Sequence, residues 1–417
     1  MSKFIISRSE LKGEIKVNGA KNNALKILAA SLLSEDDIKI NNTPNIEDVN
    51  RMTELLEDLG ASIKKDDNDL IISTRGVNKT EIDEILARKL RTSILLVGPL
   101  LARFGKATFP HPGGCVIGKR PIDIFLKGFE SLGAIIHEKN NHYEITTKKK
   151  LQGTKIIFPH VSVTATESLM MTSILAKGTT ILYNVAMEPE IPALANYLNA
   201  QGAKIKGAGA PIITIEGVEK IKAGEYKIIS DRIEAGTFAI MGVLTNSQIK
   251  IINCEPSHLE VLWEKLNLMG AKFEIGNNYV LIKKHNGLRA VDLRTHEYPG
   301  FPTDLQAPFT LLLTQAQGMS LVHETVFEGR LFYTDALNTM GANIIMCDPH
   351  RVVLNGPTKL YGKKLTSPDL RAGITMMLAG LIAEGETAID NIYQIERGYE
   401  NIDKRLQALG ARIKKEE

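Results

Sequence analysis

Apolar and polar residues follow one order along this chain, and the order recurs six times. Each copy ends on a Gly-Ala pair closing an amphipathic stretch: Gly60-Ala61, Gly133-Ala134, Gly202-Ala203, Gly270-Ala271, Gly341-Ala342 and Gly410-Ala411. Successive glycines are 73, 69, 68, 71 and 69 residues apart. The stretches before them, such as Glu54-Leu-Leu-Glu-Asp-Leu-Gly60 and Lys404-Arg-Leu-Gln-Ala-Leu-Gly410, carry a charged face and predict outer helices. The glycine stands where a helix C-terminus calls for a left-handed residue.

Upstream in each copy lies a more apolar run. Ala24-Leu-Lys-Ile-Leu-Ala-Ala-Ser-Leu-Leu33, Ser168-Leu-Met-Met-Thr-Ser-Ile-Leu-Ala176 and the segment from Gly373 to Ala383 are apolar nearly all round, which predicts buried helices. Their methionines read as gap-filling core rather than a cofactor box. A short β-rich segment separates the two helices, as in Asp37-Ile-Lys-Ile-Asn41 and Thr179-Thr-Ile-Leu-Tyr-Asn184. Hairpin-like strands follow the Gly-Ala pair, as in Ala61-Ser-Ile-Lys and Leu70-Ile-Ile-Ser73. Six such units, in two sets of three, predict two α/β domains of roughly 200 residues each. A cleft between the domains is the default expectation for a ligand site.

Composition narrows the class without naming it. The chain has 417 residues, 43% apolar and 24% charged, as expected of a soluble globular protein with ample core. Net charge is 51 − 48 = +3, too small for a nucleic-acid footprint, and Lys148-Lys149-Lys150 reads as a solvated turn. The opening Met1-Ser-Lys-Phe-Ile-Ile-Ser-Arg-Ser-Glu10 has charges too early for a secretion signal. The apolar run near Gly373 falls short of the ~20 residues of a membrane helix. Cys115, Cys254 and Cys347 are odd in number and far apart, so no disulfide framework is implied and a reducing cytoplasm is the expected compartment. Cys254 and Cys347 lie beside strand patterns and are expected to be structural.

Cys115 is different. It sits in His111-Pro-Gly-Gly-Cys-Val-Ile-Gly-Lys-Arg-Pro-Ile-Asp123, where three glycines oppose regular structure and Lys119 and Arg120 favour a thiolate. A surface turn with an incidental cysteine fits these residues equally well. His111 and Cys115 alone are too few for a zinc site. The stronger signal lies ahead of the six inner helices. Lys21, Arg91, Thr164, Asp231, Asp304 and Arg371 stand 39, 42, 38, 39, 37 and 39 residues before their closing glycines. Singly, each could be a helix cap. Recurring at helix N-termini, with Arg120 and Arg397 added, such groups would attract anionic ligands, phosphates above all.

With these residues assembled, the chain resembles the enolpyruvyl transferases, in their sugar-nucleotide branch. The resemblance runs end to end through Gly19-Ala-Lys-Asn-Asn-Ala-Leu25, the segment from Pro112 to Asp123, Asp231-Arg-Ile-Glu-Ala-Gly-Thr237, Gly300-Phe-Pro-Thr-Asp304, Glu324-Thr-Val-Phe-Glu-Gly-Arg330, Asp369-Leu-Arg-Ala-Gly373 and Arg397-Gly-Tyr-Glu400. It implies two inside-out α/β barrel (α/β prism) domains, each of three pseudo-symmetric repeats: residues 21–228, and residues 1–20 with 229–417. It also implies transfer of the enolpyruvyl group of phosphoenolpyruvate to the 3′-hydroxyl of UDP-N-acetylglucosamine, with release of phosphate, by addition and then elimination. That step opens peptidoglycan synthesis.

By the same resemblance Cys115 is the proton donor, and the thiol an epoxide such as fosfomycin would alkylate. Asp304 is the base for the hydroxyl. Lys21, Asn22, Arg120 and Arg397 hold phosphoenolpyruvate, which suits arginine's planar fork. Asn22, Arg91, the run Arg120, Pro121, Ile122, Asp123 and Ile124, the run His160, Val161, Ser162 and Val163, and Asp304 and Val326 contact the sugar nucleotide. Asp369, Asp231 and Arg330 have supporting roles. No metal and no cofactor are implied. One departure stands out: the family's usual glycine after Ser162-Val163 is Thr164, whose side chain changes how closely a nucleotide approaches the backbone. The shikimate-pathway transferase and a non-catalytic UDP-sugar-binding paralogue are the alternatives. The Cys115 segment and the Gly19-Ala-Lys-Asn-Asn opening speak against the first, and the full set of catalytic side chains against the second.

Overall fold

The computed structural model describes residues 2–111 and 121–417. Cys115, Lys119 and Arg120 lie outside the described residues. The chain folds into two compact units: residues 2–18 with Ser230–Glu417, and the described residues of 19–229. Each has its own hydrophobic core and, among the described residues, three sheets.

The repeat explains the sheets. Helix Lys21–Ala30 is followed by strand Ile38–Asn41, outer helix Glu47–Asp58 and the hairpin Ser62–Asp66/Asp69–Ser73. In the sheet, Asp69–Ser73 lies antiparallel between the other two strands. A strand from outside this stretch then pairs parallel with Ile38–Asn41; here it is Glu225–Lys227, the last strand of the unit. In the third repeat Lys155–Ile157 plays that part beside Thr179–Tyr183. In the second, a single parallel bridge, Glu81 to Thr108, stands in its place. Bringing Glu225–Lys227 back to the first sheet closes the ring.

The other unit repeats the scheme, with its first and last sheets completed by the N-terminus. Lys12–Lys16 is the parallel partner of Gln248–Ile252. Lys3–Ser7 lies antiparallel between Glu386–Asp390 and Arg412–Glu416, filling the strand that the last repeat lacks.

The inner helices are Lys21–Ala30, Val97–Phe104, Val163–Ser173, Arg232–Leu244, Gln306–Leu313 and Leu370–Ile382. Every residue of Arg232–Leu244 is buried, as its all-round apolarity requires. Close helix contact has a visible cause at Gly98, where a β-carbon would lie 2.3 Å from the Thr172 hydroxyl of the neighbouring inner helix. The six closing glycines all adopt left-handed conformations, with φ from +88° at Gly270 to +109° at Gly341, so each ends its outer helix as its position predicts.

A second repeated device is an asparagine. Asn42, Asn184, Asn253 and Asn391 follow the first strand of their repeats, at φ of 57–58°. Each side-chain amide donates to the carbonyl just past the parallel edge strand: Asn42 to Ile228, Asn184 to Phe158, Asn253 to Val17 and Asn391 to Ser367. Asparagine tolerates this conformation and fastens one repeat to the next. Asn253→Ala should lower stability by roughly 1–3 kcal/mol in urea unfolding, and Asn253→Gly by less, because glycine keeps the backbone and loses only the bond. Equal losses would mean that the left-handed turn carries no strain.

Two expectations need correction. Cys254 is buried, and burial pushes its thiol up to about 11. Cys347, expected to be structural, is exposed on strand Ile344–Asp348. Alternation along the strand from buried Ile344 puts Cys347 on the outward face with exposed Ile345. The inner helices of the second and fifth repeats also start later than the pattern indicates. Arg91–Leu96 and Thr303–Leu305 are tighter 3-10 turns leading into them. Among the described residues, no helix is long and apolar enough to cross a membrane.

Candidate active site

In the unit that begins at Gly19, Lys21, Asn22 and the residues 160–163 stand at the start of inner helices. Lys21 is the first residue of its helix, and its ammonium lies 3.2 Å from Asp48 in the first turn of the outer helix. The Lys21 side chain is 15% exposed and that of Asp48 5%. Asn22 follows it, half-buried. Next to it Asn23 is buried, and its carbonyl oxygen accepts from the Tyr226 hydroxyl (3.1 Å) and from the Ile229 N–H (3.3 Å), fixing the start of the helix.

Arg91 opens the 3-10 turn of the second repeat. Asp123 begins the outer helix Asp123–Ser131, with Pro121 and Ile122 before it. The Ile124 side chain belongs to the core, so only its backbone is left to meet a ligand. His160 is exposed and Val161, Ser162 and Val163 are half-buried. The Ser162 hydroxyl caps helix Val163–Ser173 by accepting from the Ala165 N–H at 3.4 Å.

Behind these edges the helices of the first and third repeats are joined by a charge pair. Lys26 Nζ is 3.4 Å from Glu167 Oε2, with side chains 5% and 0% exposed. Burial pushes the Glu167 carboxyl up to about 8, aided by Glu190 and Glu188, while Lys26 pulls the other way. Burial outweighs the attraction of Lys26, because Glu167 also faces two further carboxylates.

In the other unit hydrogen bonds join Asp304 to Arg330 and Arg371. Asp304 lies inside the 3-10 turn Thr303–Leu305 and does not cap a helix. Its Oδ1 accepts from Arg330 Nη2 at 3.1 Å, and its Oδ2 from Arg371 Nη2 at 2.8 Å. The Asp304 side chain is 25% exposed, against 4% and 8% for Arg330 and Arg371. Two buried guanidiniums thus fix the position of a carboxylate whose side chain stays partly accessible, an arrangement that can place it against a hydroxyl proton. Burial opposes the charge on Arg371, but Asp304, Tyr399 and Asp231 outweigh it and raise its pKa.

Asp231 and Asp369 are helix caps. Asp231 accepts from the N–H groups of Ile233 and Glu234 at 2.8 and 3.0 Å, and Asp369 from those of Arg371 and Ala372 at 2.8 and 3.1 Å. Asp369 therefore holds the backbone from which Arg371 reaches Asp304. Arg397 Nη1 donates to Gln394 at 3.1 Å. Val326 is placed by Glu324, whose buried carboxylate accepts from the N–H groups of Val326 and Phe327 and from the Thr303 hydroxyl. Glu324, Thr237 and Tyr399 make these contacts without a role assigned from sequence, although each lies inside a motif quoted above, and Arg371, marked there only as a helix-edge residue, is a direct partner of Asp304. Among the described residues, no group of three or more His, Cys, Asp or Glu could hold a metal ion.

This architecture is that of solved enolpyruvyl transferases. The enolpyruvyl transferase NikO from Streptomyces tendae superposes with a TM-score of 0.91 at 22% identity, covering 99% of this chain and 98% of that one. EPSP synthase from Acinetobacter baumannii gives 0.76 at 18%, with both chains fully covered. The family model described as EPSP synthase (3-phosphoshikimate 1-carboxyvinyltransferase) matches residues 5–406, and the chain belongs to that family. Within it, a UDP-N-acetylglucosamine 1-carboxyvinyltransferase from Halothermothrix orenii is 45% identical over 416 residues, 100% of each chain. One from Carboxydothermus hydrogenoformans is also 45% identical, over 99% of this chain and 97% of its own.

Proposed function

We propose that this chain transfers the enolpyruvyl group of phosphoenolpyruvate to the 3′-hydroxyl of UDP-N-acetylglucosamine, releasing phosphate, in the cytoplasm at the opening of peptidoglycan synthesis. The observation that carries this reading is Asp304, an accessible carboxylate held between two buried arginines, in a chain 45% identical end to end to a UDP-N-acetylglucosamine 1-carboxyvinyltransferase.

The chemistry assigns the roles. In addition, the sugar hydroxyl oxygen bonds to C2 of phosphoenolpyruvate while the methylene carbon gains a proton, giving a tetrahedral phospho-lactyl intermediate. Asp304 accepts the hydroxyl proton and Cys115 supplies the one to carbon. In elimination, the methyl carbon loses a proton, the double bond returns and phosphate leaves with the C–O bonding pair. Lys21, Asn22, Arg120 and Arg397 hold the carboxylate and phosphate. Arg91, the residues 120–124 and 160–163, and Val326 hold the sugar nucleotide. In this reading residues 21–228 form one domain, and residues 1–20 with 229–417 the other.

Phosphate release with each acceptor tests the reading. Turnover is expected with UDP-N-acetylglucosamine and not with shikimate 3-phosphate. The reverse preference would move the chain to the shikimate branch. Tight sugar-nucleotide binding without phosphate release would make it a binding protein.

A further inference from the structure

Arg397-Gly-Tyr-Glu400 contains a tyrosine that the mechanism above does not use. Tyr399 is 1% exposed, and its hydroxyl has two partners: Thr237 Oγ1 at 2.9 Å and Arg371 Nη1 at 3.2 Å. The direction of these bonds can be worked out. The single hydroxyl proton of Thr237 is used toward the Ile233 carbonyl at 2.8 Å, so Thr237 must accept from Tyr399. The phenol oxygen is then left to accept from Arg371, which has no acceptor capacity of its own. The other nitrogen of the same guanidinium, Nη2, reaches Asp304 Oδ2 at 2.8 Å. Donation therefore runs outward from Arg371, on one side to Asp304 and on the other through Tyr399 to Thr237, touching all three repeats of this unit. Because Tyr399 lies two residues past Arg397, the same anchor fixes the turn that carries that arginine.

We propose that Tyr399 is a positioning residue that orients the Arg371 guanidinium and, through it, the Asp304 carboxylate. The proposal rests on the assignment of Asp304 as the base. Phenylalanine at 399 keeps the ring and leaves a buried arginine donor without its acceptor. Such a donor seeks another partner and turns the fork away from Asp304.

The test is kinetic. Tyr399→Phe should lower kcat about tenfold, a barrier change of about 1.4 kcal/mol, with UDP-N-acetylglucosamine affinity in the absence of phosphoenolpyruvate within about twofold of wild type. In a double-mutant cycle, Arg371→Lys/Tyr399→Phe should be no slower than Arg371→Lys alone, because both changes break one chain. A merely structural tyrosine would reduce the unfolding midpoint without this non-additivity. An unchanged kcat, or losses that multiply, overturns the proposal. If Tyr399→Phe does not fold, Thr237→Val frees the phenol from its far end and carries the same kinetic expectation. Asp304→Ala, assayed alongside, separates the two levels. An inactive Asp304→Ala with a full-rate Tyr399→Phe removes only the tyrosine's role, whereas an active Asp304→Ala removes the base assignment beneath it.

Discussion

Asp304→Ala is expected to reduce kcat by about 10²–10⁴-fold, the range for removing a general base, while the protein stays folded and still binds UDP-N-acetylglucosamine. The size follows from what remains. Without the carboxylate, the hydroxyl has no placed acceptor for its proton, and Arg330 and Arg371 lose the carboxylate that joins them. Asp304→Asn separates these causes, since the amide oxygen can still accept from one arginine but cannot take a proton. Both variants should be slow and Asn the more stable, read by steady-state kinetics beside urea unfolding. A full-rate Asp304→Asn would show that the carboxylate organises the arginines without taking part in proton transfer.

The second large effect is on stability. Glu167 is fully buried and faces Lys26 from the first-repeat helix, with Glu188 and Glu190 close to the start of an outer helix. Its folded value of about 8 stands above the unfolded 4.5, so between these values the folded state binds more protons than the unfolded one. Stability must then fall as pH rises through that window, in contrast to a paired surface carboxylate. From pH 5.5 to 8 the contribution amounts to roughly 3 kcal/mol. Glu167→Gln keeps the shape and cannot ionise. The gap between the two unfolding curves should therefore move in favour of Glu167→Gln by about that amount as pH rises. Parallel curves would mean that Glu167 does not titrate in this window. A gap moving the other way would mean that it enters the fold as the stabilised partner of Lys26.

The repeat was legible because it is periodic. Closing glycines at nearly constant spacing, and inner helices without a polar face, can be read without knowing what touches what. The edge residues Lys21, Arg91, Asp231, Asp304 and Arg371 were found the same way, by position within a repeat. Asn42, Asn184, Asn253 and Asn391 recur just as regularly, 18, 18, 17 and 19 residues before their closing glycines, but a neutral amide at a strand end carries no charge signal to mark it. The partners of the buried polar groups are another matter. Lys26 meets Glu167 across 141 positions and Tyr399 meets Thr237 across 162, pairings that arise only when separate repeats pack. For the same reason sequence could name Asp304 and Arg371 but not their pairing, nor the tyrosine behind them.

Product analysis tests the identity of the acceptor most directly. Incubated with phosphoenolpyruvate and UDP-N-acetylglucosamine, the protein should yield a sugar nucleotide bearing one enolpyruvyl ether on its 3′-hydroxyl, with one phosphate released per product. An unmodified sugar nucleotide, or an enolpyruvyl group transferred to shikimate 3-phosphate instead, would contradict it.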